Sequence, residues 1–479
     1  MMTPNWILQR ASLTPDRIAI SWEEQQWTFR EMAERSMDIA KKMRGTGLQE
    51  GNRVALLTTG GPETVFLIHG GLLAGFELVM LNSRLTAAEL AYQIEDSEAV
   101  AVFTDDSLLD RAPDSTPVSR LLCGKAEDFK PAELWHEDRT LTIMYTSGTT
   151  GFPKGVRQTA GNHLSSAAAS AFNMGLQDGD VWLCAMPLFH ISGFSILSRS
   201  LIYGMTVRLQ SKFDAEASAR EIAEGSVTTM SAVSAQLVRV LDILEGRKLR
   251  ADGRFRQILA GGGPVPSPYI RRAEALGIQI LQTYGMTETS SQTATLAAED
   301  ALRKTGSSGK PLFFNRIRIE GAEKPGDEGE ILISGPHVTP GYVGRFSDSP
   351  AQVDGWLHTG DIGKLDDEGF LYVLDRRSDL IISGGENIYP AEIEQVLVGH
   401  PDVAEAGVAG VEDKHWGHVP AAFVVVRKAI AAEELEAFCR ERLAPYKVPK
   451  YYRFVEELPR NASNKLLRRE LRAAFEIEK

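Results

Sequence analysis

The chain has 479 residues, too many for one ordinary hydrophobic core, so two or more domains are expected. Apolar residues make up 43% and charged ones 24%, the balance of a water-soluble globular protein, and a formal net charge of -12 argues against a nucleic-acid partner reached by general electrostatics. Three scattered cysteines (Cys123, Cys184, Cys439) show neither metal-ligand spacing nor an even-numbered framework, which fits a reducing compartment.

The N-terminus, MMTPNWILQRASLTPDR, lacks the apolar stretch and cleavage pattern of an export signal, so a cytoplasmic location is expected. The most membrane-like run, Thr64 to Leu81, contains His69, Glu77 and three glycines. It reads as a buried helix followed by a strand, and no membrane insertion is expected. Short apolar runs then alternate with amphipathic segments, as in parallel sheets with helices on both faces. The predicted strands are Arg53–Leu57, Leu141–Tyr145, Val181–Met186, Val227–Val233, Arg256–Gly261 and Ile278–Gln282. Their carboxyl ends carry TSGTTG, PLFH, GGGP and TYGMTET, and chemistry in such sheets gathers at those ends. Past about Gly306 the runs become short and turn-rich, more like antiparallel β. From Asp379 a compact α+β pattern follows, with Pro390 suited to the first position of its helix. The domain boundary is expected near Asp375 to Asp379.

The stretch TSGTTGFPKG, Thr146 to Gly155, departs from the nucleotide-binding form G-x-x-x-x-G-K-[ST]. Counting from Gly148, Pro153 replaces the second glycine, and Gly155 stands where a hydroxyl should ligate magnesium. Yet Thr146, Ser147, Gly148, Thr149, Thr150 and Gly151 can each offer a hydroxyl or an unshielded backbone N–H to an anion. Lys154 adds positive charge, and a helical pattern begins near Gly161. These residues make a phosphate loop of another kind.

This loop, followed in order by Gly261–Pro264 (GGGP), Thr283–Thr289 (TYGMTET), Thr359–Asp361 (TGD), DRRSDLIISGGENIYPAEIE from Asp375, and LPRNASNKLLR at Leu458–Arg468, resembles the adenylate-forming superfamily of acyl- and aryl-CoA synthetases. The resemblance implies an α/β protein: a large N-terminal domain of two doubly wound sheets plus a β-rich subdomain, residues 1–377, and a small mobile α+β lid, residues 378–479. It implies ATP, Mg2+ and coenzyme A as reactants or cofactors. Gly261, Gly262, Gly263 and the Tyr284 ring would flank the adenine, with Thr283, Gly285 and Met286 among the nucleotide-binding residues. Thr287 would contact the α-phosphate, and Glu288 would bind Mg2+, a hard cation that takes oxygen ligands. Asp361 would accept from the ribose hydroxyls, supported by Arg376. Lys465, from the lid, would bridge the attacking carboxylate and the α-phosphate. Ser378 stands at the hinge, where relatives often carry an acidic residue or lysine. Gly384 and Gly385 would line the pantetheine tunnel after the lid rotates, and His190 would gate the acyl pocket.

The acid itself is harder to read. On a helix after His190, Ser192, Ser195 and Arg199 share one face. The arginine could decorate the surface or meet a second anion on the substrate. Taken together, PLFHISG, IYGMTV and the two C-terminal motifs resemble the o-succinylbenzoate–CoA ligases of bacterial menaquinone biosynthesis. That group activates one carboxylate of a dicarboxylate. Other aryl- or medium-chain acyl-CoA ligases are the near alternatives, and a luciferase-like oxygenase or a non-catalytic nucleotide-binding module the distant ones. Small-molecule substrates are the expected partners, and a homo-oligomer is left open.

Overall fold

The computed structural model describes residues 1–146, 152–263, 265–376, 379–383, 386–413, 415–460 and 466–477. Two large sheets dominate. The first has seven strands, with Thr140–Thr146, Glu77–Leu81, Arg53–Leu57 and Ala101–Thr104 parallel at its centre. The second has nine, with Gln279–Met286, Gln257–Gly261, Thr229–Val233, Val181–Cys184 and Thr206–Leu209 as consecutive neighbours. The run Thr64–Leu81 resolves as expected into the helix Pro62–Leu73, almost wholly buried, and the strand Glu77–Leu81. No helix among the described residues is long and apolar enough to cross a membrane.

Two segments differ from the sequence expectation. The residues after the phosphate loop, Lys154–Thr159, form a strand that returns antiparallel to Thr140–Thr146. Val156 and Gln158 of that strand are fully buried, a period of two that was masked by the short loop before it. The helix then starts at Ala160, where Thr159 and Asn162 close a capping box. The strand predicted to end at Gln282 instead runs on to Met286. It changes partner on the way: Gln279–Gln282 pair parallel with Gln257–Ala260, and Thr283–Met286 pair antiparallel with Ser291–Thr295.

After Gly306, Arg316–Ile319, Gly329–Ser334, Gln352–Val353, Trp356–Leu365 and Leu371–Arg376 form a five-stranded antiparallel sheet. The last sheet is built from Ile381–Ser383, Glu386–Ile388, Val403–Asp413, Gly417–Val426 and Tyr451–Phe454, flanked by helices Pro390–Val398, Ala432–Arg440 and Arg468–Ile477. Two hydrophobic clusters draw their buried residues wholly from beyond residue 380, around Ile393, Val408 and Leu435 and around Phe423, Leu471 and Phe475. A core of its own is what lets such a unit move as one body.

Candidate active site

Ser147, Gly148, Thr149, Thr150 and Gly151 lie outside the described residues, but the hairpin that presents them is on either side. Thr146 and Lys154 are direct partners across the two strands. The base of the hairpin is tied by Asp96, which accepts from the Tyr145 hydroxyl at 2.7 Å and from the Arg345 N–H at 2.8 Å. The Lys154 ammonium lies 5.2 Å from the Tyr342 ring centroid and 5.1 Å from that of Phe346, within cation–π range. Burial and the charge of Glu288 together push the Tyr342 hydroxyl pKa upward. Lys154, Tyr342 and Glu288 are therefore neighbours, which brings the loop's cation beside the expected metal-binding carboxylate.

Thr287, Glu288 and Thr289 make a single turn of 3-10 helix at the end of the strand Gln279–Met286. Glu288 is buried. Gly261 ends its strand beside Thr283, and Gly262 takes a φ of +81°, a turn that suits glycine. Gly262 and Gly263 are exposed, so this loop leaves backbone open to a flat ligand. Gly285 has a packing reason as well: a Cβ there would come within 1.7 Å of the Ser291 carbonyl oxygen. Thr283 donates to the Ala294 carbonyl, and Met286 packs on the apolar cluster around Ile331.

Asp361 is brought to the same place by the strand Trp356–Leu365. Its carboxylate accepts from the Tyr284 hydroxyl at 2.7 Å. The preceding Gly360 N–H donates to Glu330, and the Asp361 N–H to Thr359 Oγ1, which fixes the TGD turn from behind. Arg376 stands directly across the ladder from Asp361, though its side chain is outside the described set. Ser378, Gly384, Gly385 and Lys465 also lie outside it. Arg460 and Leu466, both described, form an antiparallel bridge.

His190 caps the helix Ile191–Tyr203 without a side-chain cap bond, and its ring packs against Phe189. Burial, with a smaller contribution from the charge of Arg84, holds its imidazole down at about 4, so it is neutral at pH 7. Arg199 is not at the surface. It is 1% exposed, donates to Gln292 Oε1 at 3.0 Å and Ser291 Oγ at 3.3 Å, and lies over the Trp182 ring. No carboxylate among the described residues forms an ion pair with it, and its Nε has no hydrogen-bond partner. Burial pulls its pKa down. The surface reading of this residue is thereby excluded.

Several residues around the site gave no sequence signal: Asp96 and Tyr342 beneath the loop, Gln292 on Arg199, and Gln158, which donates to the Thr287 carbonyl at 2.9 Å. Asp375 was in view only as part of a longer motif. It is buried and accepts from the Ala391 N–H and from Arg468.

Comparison with known proteins matches residues 7–343 to the AMP-binding enzyme family and residues 392–465 to the AMP-binding enzyme C-terminal domain. The chain is similar to a 2-succinylbenzoate–CoA ligase of Bacillus licheniformis, 49% identical over 480 residues, covering 98% of this chain and 99% of that protein. Among solved structures it is similar to the o-succinylbenzoate CoA synthetase of Bacillus subtilis in complex with its acyl-adenylate intermediate, with 46% identity, 98% of each chain covered and a TM-score of 0.92. The same synthetase in complex with ATP and a magnesium ion gives 46% identity, coverage of 98% of this chain and 100% of that one, and a TM-score of 0.92. The chain belongs to the AMP-binding enzyme family, across both its large and its C-terminal domain.

Proposed function

We infer that this chain is an ATP-dependent, AMP-forming acid–thiol ligase acting on o-succinylbenzoate. A carboxylate oxygen of the acid attacks the α-phosphorus of ATP, the bond to the β-phosphate breaks, and pyrophosphate leaves. The coenzyme A sulfur then attacks the acyl carbon and AMP departs, giving o-succinylbenzoyl-CoA for menaquinone biosynthesis. The full-length similarity to a 2-succinylbenzoate–CoA ligase supports this reading.

The chain's own groups fit the chemistry. Gly261–Gly263 and Tyr284 would bracket the adenine, Asp361 would accept from the ribose, and the Thr146–Lys154 loop would hold the outgoing phosphates. Glu288 would hold Mg2+: its buried carboxylate, beside Tyr342, is the oxygen donor a hard cation needs. When bound, the ion neutralises phosphate charge. Lys465 would place a positive charge between two anions being brought together, which lowers that barrier electrostatically. The lid would begin at residue 378 and turn about Ser378, carrying Lys465 away and Gly384 and Gly385 toward the thiol. A cytoplasmic location is supported by three unpaired cysteines.

One observation carries the choice of acid. Arg199 is a buried cation with no carboxylate partner among the described residues, on the helix that His190 begins. Burying such a charge is unfavourable unless a counter-charge arrives. An acid with a second carboxylate supplies one, and Arg199 is assigned to it. The test is thioester formation over a panel of aryl and alkyl acids. A clear preference for o-succinylbenzoate over monocarboxylates supports the assignment, and a preference for benzoate or a medium-chain acid overturns it.

A further inference from the structure

The turn that carries Glu288 has bonds of its own, the Ser290 N–H to the Thr287 carbonyl and Thr289 Oγ1 to the Met286 backbone, and is held from outside as well. The two residues after it, Ser290 at φ +49° and Ser291 at φ +107°, are non-glycine residues on the left-handed side, a conformation that persists only where surroundings impose it. Three carbonyls of this short stretch are gripped from outside. Ser166 Oγ donates to the Ser290 carbonyl, the Thr339 N–H to that of Glu288, and Gln158 Nε2 to that of Thr287.

The last grip has a built foundation. Gln158, Thr142 and His163 are 0%, 0% and 1% exposed. Thr142 and Gln158 face each other across the hairpin, and the Thr142 hydroxyl donates to Gln158 Oε1 at 2.7 Å. That hydroxyl has one proton, so at 3.1 Å it must accept from the Nε2–H of His163. Every bond in the chain therefore has a fixed direction, from His163 through Thr142 and Gln158 to the Thr287 carbonyl. The neighbouring Arg157 reaches the same turn, since its carbonyl accepts from Thr339 Oγ1 while the Thr339 N–H holds Glu288. Both residues sit on the strand that leaves the phosphate loop.

We propose that Gln158 is a positioning residue for adenylate formation: anchored by Thr142 and His163, it locks the Thr287–Glu288 turn to the phosphate-loop hairpin and so sets the Glu288 carboxylate against the loop. This rests on the assignment of Glu288 to the metal. The strands Thr140–Thr146 and Lys154–Thr159 and the turn that carries the carboxylate are thereby joined, which places Glu288 relative to Lys154. The thiol-transfer stage, which needs neither pyrophosphate nor the metal at that carboxylate, does not use the link.

The test compares Gln158→Leu and Thr142→Val with wild type and with Glu288→Gln. Four quantities are measured: adenylate formation, the Mg2+ concentration that half-saturates it, calorimetric affinity for ATP with and without Mg2+, and thioester formation from supplied acyl-adenylate. For Gln158→Leu, adenylate formation should fall on the order of tenfold to a hundredfold, as a small misplacement of a reacting constellation does. The half-saturating Mg2+ should rise, the Mg2+-dependent gain in ATP affinity should shrink, and conversion of supplied adenylate should stay near wild type. Thr142→Val, which removes only the anchor, should show the same pattern more weakly. Equal loss in both stages, or an unchanged Mg2+ response in both variants, overturns the proposal. If Glu288→Gln itself leaves the Mg2+ response unaltered, the metal assignment fails instead, and the two failures are distinct.

Discussion

The Tyr284 hydroxyl donates to Oδ2 of Asp361 across 77 residues of chain, at 2.7 Å. The bond joins the strand Gln279–Met286 to the strand Trp356–Leu365, so the ring assigned to the adenine and the carboxylate assigned to the ribose are set by one contact. A hydrogen bond to a charged group contributes about 1.5–3 kcal/mol, part of which the ribose hydroxyls would replace. Tyr284→Phe keeps the ring and should raise KM for ATP in pyrophosphate exchange by about threefold, less than 1 kcal/mol. Asp361→Asn should raise it by more than about tenfold, and the double variant should lose less than the sum, because the pair is coupled.

Arg199→Gln should lower kcat/KM for o-succinylbenzoate by roughly thirtyfold, the equivalent of about 2 kcal/mol and the lower end for a buried charge pair. An analogue lacking the ring carboxylate should be a poor substrate for the wild type and lose little more in the variant. Steady-state kinetics on the two acids and two proteins makes the comparison. An equal fall for both acids would place the second anion elsewhere.

Much of the site was legible because its devices are local. The helix expected near Gly161 starts at Ala160, where Thr159 and Asn162, three residues apart, close a capping box. Gln158 could not be read in this way. Its partner is Thr287, 129 residues away, and a glutamine in a short strand looks the same whether it faces solvent or a buried carbonyl. Arg199 shows a second limit. The serine face was read correctly, but Phe194, Ser195, Leu197 and Ser198 are all buried, so both faces of that helix lie inside and periodicity could not say how deep the arginine sits. The strand extension to Met286 was hidden because glycine and threonine there signal a turn, and tertiary pairing with Ser291–Thr295 overrides them.

Arg468 fastens the C-terminal helix Arg468–Ile477. It donates to Glu394 at 2.8 Å, to Asp379 at 3.2 Å and to Asp375 at 3.3 Å, and Asp375 belongs to the sheet that precedes residue 377. Arg468→Leu would take away the cation that Glu394, Asp375 and Asp379 share, Asp379 keeping Arg472 at 4.0 Å, a loss on the order of 3 kcal/mol. Denaturant melts should show unfolding at a lower midpoint, while Arg468→Lys should recover part of it. Lys465, three residues upstream, should behave differently: Lys465→Ala should nearly abolish adenylate formation, leave the melt unchanged, and convert supplied acyl-adenylate at close to the wild-type rate.

Histidines held neutral by burial make stability depend on pH: His190, at about 4, is joined by three that are more deeply buried. Burial lowers His69 to about 4, and His163 and His337 to about 3, from an ordinary 6.5. For His163 the charge of Arg199 adds to the burial. Between those values the unfolded chain binds more protons than the folded one, so stability rises with pH across that window and falls on acidification below about 6.5. Each histidine should remove about 1.4 kcal/mol per pH unit once below that point. Tm should therefore drop steadily from pH 7 to pH 5, and His69→Gln should flatten the slope by about a quarter of the four-histidine contribution. A Tm independent of pH over that range would show that these rings are not held neutral.

The most direct measurement separates the two stages in one vessel. The protein is mixed with o-succinylbenzoate, ATP and Mg2+ without coenzyme A, and the products are identified by mass spectrometry before and after the thiol is added. The account predicts enzyme-bound o-succinylbenzoyl-AMP with an equal amount of pyrophosphate, and then its conversion to o-succinylbenzoyl-CoA and AMP when coenzyme A arrives. ADP and inorganic phosphate in place of AMP and pyrophosphate, or no adenylate until the thiol is present, would contradict it.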